Sequence, residues 1–399
     1  MDFGRIDLPQ DLVEFWSEVG KFYDEHLPPK AIDQERADGN GFVPSLERAL
    51  GERGWRTPTW PEREGGPLDP LKAAILRAEE ARRVGPLFPV KGSTELVAGA
   101  VRHFGSMELR EEILSGVARG ELTLSLGYTE PDCGSDAAAI RTRAVRDGEE
   151  WVISGQKMFS TGSHLTQYVM ATTRTNPDAP KRNGITMFLI PLDRPGVEIR
   201  GIGTLGGERT NFIYFDEVRV EDRYRLGAVD QGWAVASRAL AEEHHMDVDE
   251  PSENDAIAAI VGTGGWVAEL RRAWDSVVAW LADAQNVDGR AVLEDPGVRV
   301  RLARIALDCE VIDVTPDPYR RVTASDLLIR DSADLMDLLG EKALIPASVD
   351  GAGANGRVEH LHRFAQGTAI YGGTVEIQRS LIAEQVLGLP RGRKGKTAP

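Results

Sequence analysis

The 399-residue chain predicts an α+β multidomain fold: an N-terminal all-α domain over 1–121, a middle antiparallel β-barrel or sandwich domain over 122–228, and a C-terminal helical domain over 229–399. Three observations predict it. Apolar residues recur at three- and four-residue spacing through the first 120 residues. Short β-branched and aromatic runs divided by turn residues then follow, and the helical period returns after Gly232 and holds nearly to the end.

Taken in order, residues 9–30 form an amphipathic helix, with Leu12, Phe15, Trp16, Val19 and Phe22 on one face and Pro28 and Pro29 closing it. A second helix runs from Leu46 to Arg53 and stops at Gly54, and the Pro- and Gly-dense stretch Thr57–Pro70 is a loop. Helical pattern resumes over Leu71–Arg83, Val97–Phe104 and Glu108–Val117. Strands are predicted at Leu122–Tyr128, Ile140–Arg146, Trp151–Ser154, Tyr168–Arg174, Gly184–Pro191, Val197–Ile202 and Asn211–Val220, with Asp147-Gly148 as a hairpin turn. The later helices are Trp233–Met246, Ile257–Ala284, Pro296–Val311, Val322–Leu339, Val358–Ile370 and Thr374–Leu387.

Composition narrows the function. With 63 acids against 47 Lys plus Arg, the formal charge is -16, the wrong sign for binding nucleic acid through the overall field. Two cysteines, Cys133 and Cys309, make neither a disulfide framework nor a zinc cluster. The acidic first turns do not resemble a secretory leader, and no window approaches eighteen uninterrupted apolar residues, so the expectation is a cytoplasmic protein without membrane spans.

Three stretches carry chemistry. In Gly127-Tyr128-Thr129-Glu130-Pro131-Asp132-Cys133-Gly134-Ser135-Asp136, Pro131 and Gly134 shape a tight turn while Tyr128, Thr129 and Ser135 set hydroxyls and amides around one concavity. That suits the edge of a planar heteroaromatic ring, and equally a polar loop on a barrel rim. In Lys157-Met158-Phe159-Ser160-Thr161-Gly162, strand alternation puts Phe159 and Thr161 on one face, so that one lies against a ring and the other donates to it; an aromatic strand residue is also ordinary core. In Tyr371-Gly372-Gly373-Thr374-Val375-Glu376, Thr374 caps the last helix, the glycines allow close backbone approach, and free amides suit a developing oxyanion; an ordinary glycine turn reads the same way.

Together, in this order, these stretches resemble the acyl-CoA dehydrogenase family. Trp60-Pro61-Glu62, Gly65-Gly66, His103-Phe104-Gly105, Thr204–Asn211 and Ala383–Pro390 add to the resemblance, which spans nearly the whole chain. It implies a helical domain, a β domain and a C-terminal four-helix bundle, with FAD between the last two and the bundle making a homo- or hetero-oligomer. It implies an acyl-CoA substrate and an electron-transfer flavoprotein or similar acceptor. By resemblance, Tyr128, Thr129, Gly134 and Ser135 meet the flavin and the thioester, Phe159 lies against the isoalloxazine, and Thr161 donates toward N5. Thr374 and Glu376 belong to the cofactor-binding turn, and the Gly372 amide polarises the thioester carbonyl.

In straight-chain members the position of Gly372 holds the catalytic Glu, so the base must come from elsewhere. Isovaleryl and long-chain types place it on the helix after the β domain, where this chain has Glu242 and Glu243. At about 100° per residue, Ala236, Ala239, Leu240 and Glu243 share an arc and Glu242 points away, so Glu243 is the candidate base, or else a bundle carboxylate paired with a basic residue. Burial would raise its pKa and strengthen it as a base. Three departures stand out: His244-His245 with the acidic 247–255 segment; Ala284–Arg290 where the family has Arg-x-x-Phe-Gly; and Ser348–Gly356, glycine-rich but without the family's Gln. The incomplete ADP half of the site matches what one chain of a heteromeric, actinobacterial steroid side-chain dehydrogenase would show. A non-catalytic partner subunit and a flavin monooxygenase on the same fold are the alternatives.

Overall fold

A computed structural model describes residues 8–61, 66–83, 89–243, 265–285 and 291–390. These fall into two compact units, one running to residue 243 and including 265–269, the other comprising 270–390.

The first unit begins with α1 (Gln10–His26), α2 (Lys30–Asp38), α3 (Pro44–Glu52) and α4 (Pro70–Arg83). The apolar face anticipated for α1 buries Leu12, Val19 and Phe22 against Leu46, Leu50, Trp55, Ile75 and Leu76. Pro29 does not end the helical region: it stands at the N-cap of α2, where the missing N–H of proline is tolerated. Lys30–Asp38 carries only three apolar residues and so shows no amphipathic stripe.

Two further helices, α5 (Pro89–Phe104) and α6 (Met107–Ala118), pack on each other, and α5 packs on the sheet. The sheet has eight strands: β1 (Leu124–Gly127), β2 (Arg143–Asp147), β3 (Glu150–Lys157), β4 (Tyr168–Arg174), β5 (Ile185–Pro191), β6 (Val197–Gly203), β7 (Arg209–Glu221) and β8 (Arg225–Leu226). Their order is β6-β7-β3-β2-β4-β5-β8, with β1 paired to β4. Most pairs are antiparallel, and the Asp147-Gly148 hairpin forms with Asp147 opposite Glu150 and Gly148 at φ 67°. Against the purely antiparallel expectation, β1 and β2 both run parallel to β4. Trp151, Ile153, Met170, Phe188, Leu189, Ile213 and Val218 fill the core beneath α5 and α6.

Helix α7 (Gly232–Glu243) completes this unit, burying Val235, Ala236 and Ala239 in the same core. A Cβ on Gly232 would lie 2.6 Å from the backbone of Thr186 and Met187, so only glycine lets this helix start against β5. Residues 244–264, with the histidine pair, the acidic segment and the start of the helix expected from Ile257, lie outside the described residues.

Helix α8 (Trp266–Ala282) crosses from the first unit into the second, which continues with α9 (Pro296–Val314), α10 (Tyr319–Leu339), α11 (Arg357–Thr368) and α12 (Val375–Leu381). Helix α10 packs on α9, α11 and α12. Asp295 caps α9 through Gly297 N–H, 2.7 Å, and Trp274 of α8 donates to the Leu302 carbonyl, 2.9 Å. The last helix turns π-helical over Ile382–Val386, and the basic tail from residue 391 lies outside the described residues. Among the described residues no helix is long and apolar enough to cross a membrane.

Candidate active site

Two of the three predicted stretches meet in the first unit. Strand β1 ends at Gly127 and delivers Tyr128 and Thr129, both partly buried, to a turn closed by reciprocal backbone hydrogen bonds between Glu130 and Cys133, 3.0 Å each. Gly134 and Ser135 stand exposed at its tip, with open space where a Cβ on Gly134 would sit. The Met158 N–H donates to the Thr129 carbonyl, 2.9 Å, which ties this loop to the second stretch.

Contrary to expectation, Phe159 and Thr161 do not alternate along a strand, because β3 ends at Lys157. Phe159 has φ 56°, a left-handed conformation rare for an aromatic residue, and the Thr161 N–H folds back to the Phe159 carbonyl, 3.1 Å. The turn turns the Phe159 ring outward, 54% exposed. It is held from behind by Asn211, fully buried, whose amide donates to the Ser160 carbonyl, 3.0 Å, and to His164 Nδ1, 3.1 Å. The Thr161 hydroxyl donates to Thr210 Oγ1, 3.2 Å.

Beneath both stretches lies a pair that motif reading passed over. Lys157, with no exposed surface, donates through Nζ to Glu130 Oε1, 2.7 Å, and to Thr172 Oγ1, 3.1 Å. The Glu130 carboxylate also accepts from the backbone N–H of Arg141, 2.6 Å, and of Thr142, 3.0 Å. Burial alone would raise the Glu130 pKa; the Lys157 charge and these donors together hold it below the usual carboxylate range. Continuing the inward alternation of Trp151 and Ile153 to Lys157 was the available signal that this lysine is buried; which of the turn's acids, Glu130, Asp132 or Asp136, meets it was not readable.

The third stretch lies in the second unit. Gly372 and Gly373 take φ 61° and 77°, and Thr374 caps α12 through the Ile377 N–H, 3.3 Å, as anticipated. The loop is pinned at both ends: buried Gln378 donates to the Gly372 carbonyl, 2.9 Å, and Arg321 Nη2 donates to the carbonyls of Thr368, 2.8 Å, and Tyr371, 2.6 Å. Glu376 is exposed, and its own backbone N–H and the Thr374 hydroxyl lower its pKa. In the Ser348–Gly356 stretch, Ala354, Asn355 and Gly356 are successively left-handed before α11 begins.

On α7 the arc expected to face inward is the buried one at Ala236 and Ala239. Glu243 ends that helix, and its side chain, with His244, His245, Glu62, Gly65 and Arg290, lies outside the described residues.

Comparison with known proteins decides the family. Residues 9–121 match the acyl-CoA dehydrogenase N-terminal domain, 125–219 the middle domain and 320–387 the C-terminal domain. The chain is 30% identical to acyl-CoA dehydrogenase IpdE1 of Mycobacterium tuberculosis, over 84% of this chain and 85% of that one. It belongs to the acyl-CoA dehydrogenase family. Among solved structures it resembles the ChsE4-ChsE5 complex from Mycobacterium tuberculosis, with a TM-score of 0.81, 27% identity, and coverage of 98% of this chain and 100% of that one. It also resembles the Tcur3481-Tcur3483 steroid ACAD, with a TM-score of 0.80, 28% identity and the same coverage. Family members are oxidoreductases acting on CH–CH donors and FAD-binding flavoproteins. An outward aromatic on a strained turn, hydroxyls at Thr129, Ser135 and Thr161, and open space at Gly134 fit a planar flavin ring.

Proposed function

We propose that this chain oxidises the α,β C–C bond of a branched or polycyclic acyl-CoA thioester, of the steroid side-chain class, to the 2,3-enoyl-CoA. The observation that carries it is the outward Phe159 ring on its left-handed turn, hydrogen-bonded through Met158 to the Tyr128–Ser135 loop. The steroid ACAD that the chain resembles supports the substrate class, and Gly372, lacking a side chain, leaves room beside the thioester.

Bound FAD would supply the hydride acceptor. By the family resemblance, Glu243 of α7 would take the proton from the substrate α-carbon, and the Gly372 amide would hold the carbonyl oxygen where charge develops. Gln378 and Arg321 fix the backbone around that amide. Phe159 would hold one side of the ring, and Tyr128, Thr129, Gly134 and Ser135 would hold its edge. With the ring bound, the Thr161 hydroxyl would exchange its hydrogen bond to Thr210 Oγ1 for one toward the ring, and Thr374 and Glu376 hold the turn that starts α12. The reducing equivalents would pass to an electron-transfer flavoprotein or similar acceptor.

A second chain is part of this reading. The Ser348–Gly356 loop lacks the family's Gln, and the exposed Val300, Leu307, Val311 and Val314 form one stripe of α9 at heptad-like spacing. The ChsE4-ChsE5 complex supports a related partner chain over a homo-oligomer.

Anaerobic titration with straight, branched and polycyclic acyl-CoAs, following loss of the oxidised flavin band, tests the proposal: bulky thioesters bleach the band and straight ones do so weakly. Glu243→Gln retains FAD and is not bleached; bleaching of that variant at the normal rate refutes the base assignment.

A further inference from the structure

We propose that the buried Lys157–Glu130 ion pair is a clamp that sets the Tyr128–Ser135 loop against the Phe159–Thr161 turn, so that both are positioning residues for the flavin ring. The inference rests on reading those two segments as the ring site.

Its place in the chain carries the argument. Glu130 directly follows Thr129 in the loop, and Lys157 ends β3 two residues before Phe159, so the 2.7 Å contact joins the two walls beneath their ligand-facing residues. Each partner is fixed to the sheet: Lys157 by Thr172 of β4, Glu130 by the N–H groups of Arg141 and Thr142 just before and at the approach to β2. Gly127 lets β1 lie close against β4 beside the lysine stem, since a Cβ there would stand 2.9 Å from Val169 Cγ2 and in van der Waals contact, 3.4 Å, with Lys157 Cγ.

A pair needed only for stability could be exchanged for an uncharged one, since apolar replacement of a buried ion pair is often neutral. What Met and Gln cannot reproduce is the directional set of four side-chain hydrogen bonds at this junction, two donated by Lys157 to Glu130 and Thr172, and two accepted on separate Glu130 oxygens from the N–H groups of Arg141 and Thr142. Positioning and stability therefore separate in the double variant.

The test compares Lys157→Met, Glu130→Gln and the double variant in the full chain. Three readouts are melting temperature, FAD affinity by reconstitution of apoprotein with flavin fluorescence, and the anaerobic rate of flavin reduction per bound FAD. Each single change leaves a lone buried charge and lowers the melting temperature, and the double change recovers part of that loss. FAD affinity does not recover: the dissociation constant rises at least tenfold in all three, and reduction slows at least tenfold. Should a single variant fail to fold, the charge-neutral double variant decides alone. A folded double variant that binds FAD within twofold of wild type and is reduced at its rate overturns the clamp. Wild-type protein that binds FAD yet is bleached by no acyl-CoA defeats the proposed substrate class while the affinity comparison still decides the clamp. A wild-type chain that takes up FAD neither alone nor with a related partner chain overturns both.

Discussion

Glu130 in the β-sheet unit and Asp331 in the helical unit are both buried carboxylates, and they titrate in opposite directions. Glu130 faces a fully buried lysine and two backbone N–H groups. Asp331 has Arg330 Nε on Oδ1 at 2.8 Å, but that arginine is 46% exposed, and Oδ2 has no hydrogen-bond partner among the described residues. Burial therefore prevails at Asp331 and raises its pKa, whereas at Glu130 the lysine and the amides outweigh burial. The difference lies in the donors each backbone can offer. A sheet loop brings strand ends with free N–H groups to the carboxylate, while a mid-helix residue is surrounded by amides already bonded within the helix.

The largest effect that would break this contrast is expected at Lys157. Lys157→Met strands the Glu130 charge and should cost about 3–5 kcal/mol in urea unfolding, the range for breaking a buried pair; a loss under about 1 kcal/mol would mean the pair is solvated. Next is Glu35, 8% exposed, which accepts from the Gly41 N–H at 2.8 Å and whose pKa burial raises to about 7. Its folded pKa exceeds its unfolded one, so stability falls as pH rises from about 4.5 through about 7. Glu35→Gln should therefore stabilise by about 2 kcal/mol at pH 8 and by well under about 1 kcal/mol at pH 5, compared by urea midpoints at the two pH values.

Asp331→Asn has the same sign, a gain at pH 8 that shrinks on acidification as wild-type Asp331 takes up its proton, read from the same urea midpoints. Glu130→Gln has the opposite sign: its folded pKa is depressed, so the stability it contributes is present above about pH 4.5 and fades as pH falls below it. The smallest effect is Arg330→Ala, under about 1 kcal/mol because its partner contact is solvent-screened; a loss matching that of Lys157→Met would erase the distinction between the two regions.

Motifs whose chemistry is local were legible in the chain. Thr374 caps α12 because a hydroxyl three residues before Ile377 needs only one turn of helix to find its N–H. The Asp147-Gly148 hairpin forms because a glycine at positive φ suffices to reverse the strand. Helix α2 was illegible because its few apolar residues leave no stripe, and the first turns of α5 were missed because Pro89, Gly92 and Ser93 read as loop. The two-residue β8 is defined only by its pairing with Met187 and Phe188. At the candidate site the residue types of both walls were readable. The outward swing of Phe159 was not, because the left-handed turn is imposed by Asn211, fifty-two residues further along the chain.

By itself, then, the sequence determined the alternation of helical and β segments, the caps and turns, and the residue types of each wall, since these follow from periodicity and short-range hydrogen bonding. Only the tertiary structure decided that Lys157 meets Glu130 across twenty-seven residues, that Phe159 faces outward, and that Glu130 and Asp331 titrate oppositely. Those outcomes depend on which distant donors reach a buried group, and burial and long-range hydrogen bonding are set by packing rather than by neighbours in the chain.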